Sequence, residues 1–106
     1  MLHGYTPAER FLPYLSWTEV AALPDKANTV IVLPVGAMEQ HGPHLPLGVD
    51  ARLIEGVVAG ALPNLPTDLP VLFLPPQNIG FSVEHTSYAG TLTLSPATLI
   101  ALWTEL

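Results

Sequence analysis

The chain changes character abruptly at residue 35, and that change limits what it can fold into. Residues 29–35 form a near-continuous run of Val, Ile and Leu. The run gives way to a loop of glycines, prolines and polar side chains, and the loop leads straight into an amphipathic pattern from Ala51. A continuous apolar run of this kind predicts a strand buried on both faces. Pro34 lies late in it, which places the end of the ladder where the loop begins. Strand, loop and helix in this order predict the edge of a parallel α/β sheet, where ligands bind.

The loop gathers Glu39, His41, His44 and Asp50 in a chain that is otherwise poor in polar chemistry. Carboxylate and imidazole together suit zinc, manganese or iron, and the absence of cysteine removes thiolate sites. Glu39 and His41 are two apart, so an extended backbone points both to one side. Asp50 occupies the position expected of a helix N-cap, with one carboxylate oxygen held by helix N–H groups and the other free. Pro43 and Pro46 stiffen the loop, and the glycines permit its turns. Each residue alone has a structural explanation: Asp50 as a cap only, His44 between prolines bonding backbone. Four candidate donors on one such loop are harder to explain as core or solvated surface.

The remaining pattern fits an α/β unit. Residues 1–15 read as an irregular arm whose Tyr5, Phe11, Tyr14 and Leu15 pack on something, a second subunit being one choice; His3 is a terminal histidine without assigned chemistry. Ser16 and Glu19 form a capping box for a helix over 17–23, which Pro24 ends. A helix over 51–62 carries Leu53, Ile54, Val57, Val58 and Ala61 toward the sheet, with Arg52 and Glu55 on the other side. Residues 71–74 form a second short strand, parallel to the first. The loop 77–90 then opens beside Glu39 and His41. Adjacent residues of an extended chain point opposite ways, so only one of Glu84 and His85 is expected to face them. His85 is assigned to substrate or a supporting role, and Gly90 and Thr91 to the pocket wall. Ser95 and Pro96 open a last helix with Leu99, Leu102, Trp103 and Leu106 on one face.

Three Lys and Arg against nine Asp and Glu give a net charge of −6, with no basic stripe for nucleic acid. No apolar run reaches the ~20 residues of a membrane span. No secretory signal is visible, and with no cysteine a cytoplasmic location is expected. Phosphate-loop and nucleophile-elbow motifs are absent.

The run 34–50, PVGAMEQHGPHLPLGVD, resembles the signature of the creatininase (creatinine amidohydrolase) family. Residues 80–94, GFSVEHTSYAGTLTL, are similar to the family's Gly-Thr segment, and the Ser-Trp-Thr-Glu run at Ser16 extends the likeness over most of the chain. The resemblance implies a creatininase-like α/β fold with a parallel sheet covered by helices. It implies an oligomeric hydrolase of non-peptide C–N bonds, acting on a small creatinine-like amide through water activated by two divalent metals, zinc first, manganese or iron next. Carried over, Glu39 binds one metal, His41 the other, and Asp50 bridges; His44 matches no ligand position and stands behind them. A formamide hydrolase, a peptide-trimming relative in cofactor biosynthesis, and a non-catalytic metal-binding remnant are the alternatives. The family's later His and Glu ligands, in an Asn-Gly-His segment, have no counterpart here. Residues 1–106 are therefore expected to be the amino-terminal part of one such domain, incomplete at its carboxyl side, weak in metal binding and inactive alone.

Overall fold

The computed structural model describes residues 6–106. His3 and Tyr5 lie outside the described residues. The main elements in chain order are helix α1 (Trp17–Ala21), strand β1 (Val30–Val32), helix α2 (Val49–Ala61), strand β2 (Val71–Phe73) and helix α3 (Pro96–Glu105), with short 3₁₀ turns between them. Contacts group the chain into two units, Met1–Pro34 with Glu55–Pro76, and Val35–Ile54 with Gln77–Leu106. Together the elements make an α/β fold: a two-stranded parallel sheet with helices.

In the first unit β1 and β2 pair in parallel, as the strand–helix–strand order predicts, with Val30 opposite Val71 and Val32 opposite Phe73. The ladder is extended by Val30 N–H donating to the Pro70 carbonyl at 2.8 Å and Leu74 N–H donating to that of Val32 at 2.9 Å. Leu72 and Phe73 are buried. β1 is shorter than the expected 29–35, and Val30 and Ile31 remain 55% and 48% exposed. Burial on both faces needs neighbouring layers, and a sheet of two three-residue strands does not supply them.

Residues 8–11 of the N-terminal arm pack on this chain itself. Phe11 is 1% exposed and bridges in parallel to Phe73. Arg10 donates to the carbonyls of Pro66, Leu69 and Val71, binding the turn Ala8–Arg10 to the segment that enters β2. α1 has the predicted capping box: Ser16 Oγ accepts from Glu19 N–H, and the Glu19 carboxylate accepts from Ser16 N–H at 2.7 Å.

In the second unit Val35 bridges in parallel to Gln77 and Met38 bridges antiparallel to Leu92. Gly36 N–H donates to the Gln77 carbonyl at 2.8 Å, and Leu92 N–H to that of Met38 at 3.0 Å. These pairings hold the loop after β1 against residues 77–92. α3 starts at Pro96 with Ser95 Oγ accepting from Thr98 N–H. Leu99 is buried and Leu102 half-buried, while Trp103 and Leu106 are exposed. The Trp103 indole donates to Gln77 Oε1 at 2.9 Å.

α2 begins two residues earlier than expected. Arg52 N–H donates to the Gly48 carbonyl, so Gly48 closes the first helical bond and Asp50 lies inside the first turn. Asp50 is therefore not the N-cap. Ala51 is buried, but Leu53 and Val57 are both 64% exposed, so the expected apolar stripe is only partly covered.

Candidate metal centre

Three sequence-predicted donors come together. One ligand atom each from Glu39, His41 and Asp50 lies within 4.8 Å of the others. Glu39 and His41 follow the Met38 bridge, and the first turn of α2 brings in Asp50. This segment is pinned by Glu39 N–H donating to the Leu47 carbonyl at 3.3 Å, which closes the loop over its own base. All three side chains are half-buried.

His41 is held at both nitrogens. Nδ1 donates to the Glu39 backbone carbonyl at 3.1 Å, and Nε2 lies 3.0 Å from Asp50 Oδ1. The carbonyl fixes the proton on Nδ1 and leaves Nε2 as the nitrogen that faces the carboxylates. This is how a metal-ligating imidazole is commonly oriented from behind. The Glu39 carbonyl raises the His41 pKa above the usual imidazole value; partial desolvation opposes it, and the Asp50 and Glu39 carboxylates reinforce it. Without metal the ring thus favours its proton. An ion taking Nε2 displaces that proton, so the proton and the ion compete for one nitrogen.

Glu39 belongs to a second group with Glu84 and His85, again within 4.8 Å. The expectation that only one of Glu84 and His85 faces Glu39 fails. Residues Val83–His85 form a 3₁₀ turn, not an extended strip. Successive side chains there diverge by about 120° rather than 180°. His85 Nε2 lies 3.8 Å from Glu39 Oε2 and 3.7 Å from Glu84 Oε1. Thr91 supports His85 from behind, its hydroxyl donating to the His85 carbonyl at 2.8 Å. Gly90 has φ +89°, and a Cβ there would fall 2.5 Å from Leu47 Cδ1, so its backbone packs closely against the loop that carries Glu39 and His41. His44 is exposed and joins neither donor group; its ring packs over Gly42 instead.

Gln40 has a place in the site that the sequence did not single out. Its Nε2 lies 3.0 Å from His85 Nδ1, and its Oε1 accepts from Gly42 N–H at 2.8 Å. No local pattern marked it, because its partner His85 lies 45 positions away in the sequence.

Residues 13–106 match the family described as creatininase, creatinine amidohydrolase. The chain belongs to the creatininase family. Among creatininase-family relatives, the mycofactocin precursor peptide peptidase of Mycobacterium tuberculosis is 40% identical over 81 residues, covering 71% of this chain and 32% of that protein. Its namesake in Mycolicibacterium smegmatis is 37% identical over 78 residues, covering 72% and 32%. The creatinine amidohydrolase of Pseudomonas putida is 32% identical over 94 residues, covering 84% and 35%. Of solved structures, creatininase Mn superposes with a TM-score of 0.74 at 30% identity over 91% of this chain and 38% of that one. A mutant creatininase of Zn–Zn type gives 0.72 at 30% identity over 90% and 37%. The chain thus spans about a third of the length of the curated relatives it matches, and its α/β fold is that of the creatininases.

Proposed function

We propose that this chain carries part of the metal centre of an amide hydrolase, with Glu39, His41 and Asp50 as ligands. The observation that carries the reading is the meeting of a backbone-oriented imidazole with two carboxylates. The donor set is two hard oxygens and one borderline nitrogen, a set that zinc and manganese both accept. Manganese and paired zinc in the names of solved family members support divalent ions, and two of them. Asp50 is the bridging carboxylate in this reading, with Glu39 and His41 one to each ion. A divalent ion at such a site supplies Lewis acidity and makes water available as hydroxide near neutral pH. The chain's residues do the rest. Glu39 and Asp50 offset the ionic charge, and the Glu39 carbonyl keeps the His41 ring in register. Residues 1–106 form the amino-terminal part of a single creatininase-like domain, and the substrate is a small amide.

Two substrate readings remain within amide hydrolysis. A creatinine-like cyclic amide follows from the family's name. Peptide trimming is favoured by the identities of 37–40% to the mycofactocin precursor peptide peptidases against 32% to the creatinine amidohydrolase.

Manganese added to the ¹⁵N-labelled chain tests the metal assignment, since paramagnetic broadening reports even weak sites. The His41 ring and the Asp50 amide should broaden first. His41→Ala and Asp50→Ala should lose the effect, with His44→Ala retaining it. Equal broadening in wild type and both ligand variants would remove the assignment.

A further inference from the structure

The two histidines beside Glu39 are held by opposite kinds of partner. Gly42 N–H donates to Gln40 Oε1 at 2.8 Å. A backbone amide nitrogen can only donate, so the oxygen of the Gln40 amide faces Gly42 and its NH₂ faces His85. That NH₂ also only donates. His85 Nδ1, 3.0 Å away, must therefore accept with its lone pair, and the neutral ring carries its proton on Nε2. At His41 the partner of Nδ1 is a carbonyl oxygen, and the assignment reverses.

The Nε2–H of His85 points between Glu39 and Glu84 at 3.8 and 3.7 Å, beyond hydrogen-bond length. Among the described residues it has no hydrogen-bond acceptor. The backbone beneath it is fixed twice: His85 N–H donates to the Ser82 carbonyl at 3.0 Å and Thr91 Oγ1 donates to the His85 carbonyl at 2.8 Å. The result is an anchored ring with one unused donor, a quarter exposed, beside the candidate metal donors.

We infer that Gln40 is a positioning residue that holds His85 as the Nε2–H tautomer, so that His85 serves as a hydrogen-bond donor to the carbonyl oxygen of a bound amide and not as a metal ligand. The group of Glu39, Glu84 and His85 has the residue types of a cation site, but its nitrogen presents hydrogen where an ion needs a lone pair. A fixed donor aimed at an oxygen that gains charge during amide cleavage stabilises that charge without reorganising. The substrate half of this inference rests on the proposed hydrolysis. The tautomer half rests on the hydrogen bonds alone.

The test reads imidazole nitrogens by NMR in the metal-free 106-residue chain. In wild type, His85 should show the Nε2–H pattern together with a through-hydrogen-bond coupling between Gln40 Nε2 and His85 Nδ1. Water already favours Nε2–H in a free imidazole, so the reversal is decisive. Gln40→Glu keeps an acceptor for Gly42 N–H and turns an acceptor toward His85, and the Nδ1 resonance should shift to the protonated position. Gln40→Ala should lose the coupling while His41 stays as it was, which separates this effect from unfolding. Zinc added to wild type should shift the Nε2 resonance of His41 and leave that of His85 in its N–H position; in Gln40→Glu both should move. An Nδ1–H pattern for His85 in wild type, an unchanged pattern in Gln40→Glu, or His85 Nε2 taking zinc at the first equivalent in wild type would overturn the inference. Loss of zinc response at His41 alone would count against the metal reading and leave the tautomer untouched.

Discussion

At the scale of single residues, His41 links folding to protons. Its folded pKa is raised, so it binds its proton more tightly in the folded chain than in the unfolded one. The associated stabilisation is fully present below the ordinary imidazole value of 6.5 and is lost as pH rises through the higher folded value. In chelator, His41→Gln should therefore melt below wild type in mildly acidic buffer and converge with it in mildly alkaline buffer; a gap that widens with pH would contradict the assigned hydrogen bonds. Metal affinity should run the other way and rise across the same window, because the ion must displace the Nε2 proton. Gly42 is the other sensitive position. With φ +76° it takes a conformation that disfavours a Cβ, and its N–H orients Gln40. Gly42→Ala should destabilise the chain by about 1–2 kcal/mol in urea unfolding and loosen Gln40 as well.

Among elements, the helices owe their ends to local chemistry and their persistence to packing. α3 begins at a Ser95 cap with Pro96 in the first helical position, and Leu99 buries its face. Ser95→Ala should cost about 1 kcal/mol of stability, read as a lower urea midpoint with unchanged slope. α1 is only five residues long and leaves Trp17 81% exposed. Helices so short are marginal in water, so its capping box is most of what holds it. Ser16→Ala should speed amide exchange in α1 and leave the Glu39–His41–Asp50 signals in place. The 3₁₀ turn Val83–His85 is the element that brings Glu84 as well as His85 to Glu39.

Over the whole molecule the dominant property is uncovered apolar surface. Val30, Ile31, Leu53, Val57, Ile100 and Trp103 are all exposed. The two-stranded sheet keeps β1 with an unpaired edge among the described residues. We expect the chain to self-associate, and light scattering should show mass growing with concentration; a monomer throughout the micromolar range would remove this expectation. Among the described residues no helix is long and apolar enough to cross a membrane. With three proposed ligands for two ions, residues 1–106 should hold metal weakly and show no turnover, since a catalytic zinc usually has three protein ligands of its own. Hydrolysis of creatinine or a short peptide by this chain that vanishes in Asp50→Ala would show that it completes the site unaided.

What the sequence determined by itself is what short-range chemistry decides. The caps at Ser16 and Ser95 act over a few bonds, and the structure has them where the residues put them; the order of strand, loop and helix around Glu39 also holds, with β1 shorter and α2 starting earlier than the pattern predicts. The parallel pairing of β1 with β2 follows from chain order and handedness. The meeting of Glu39, His41 and Asp50 follows from a stiff loop between a strand and a helix. Only the tertiary structure decided where neighbouring groups compete. Asp50 left the capping role because Gly48 starts α2, which freed its carboxylate for His41. The segment around Arg10 and Phe11 docked on its own chain because Phe11 found Phe73 and Arg10 found three carbonyls. β1 stayed exposed because burial depends on layers beyond the strand itself. Gln40 came to govern His85 across 45 positions of sequence because Gly42 orients its amide, a contact that no local pattern encodes.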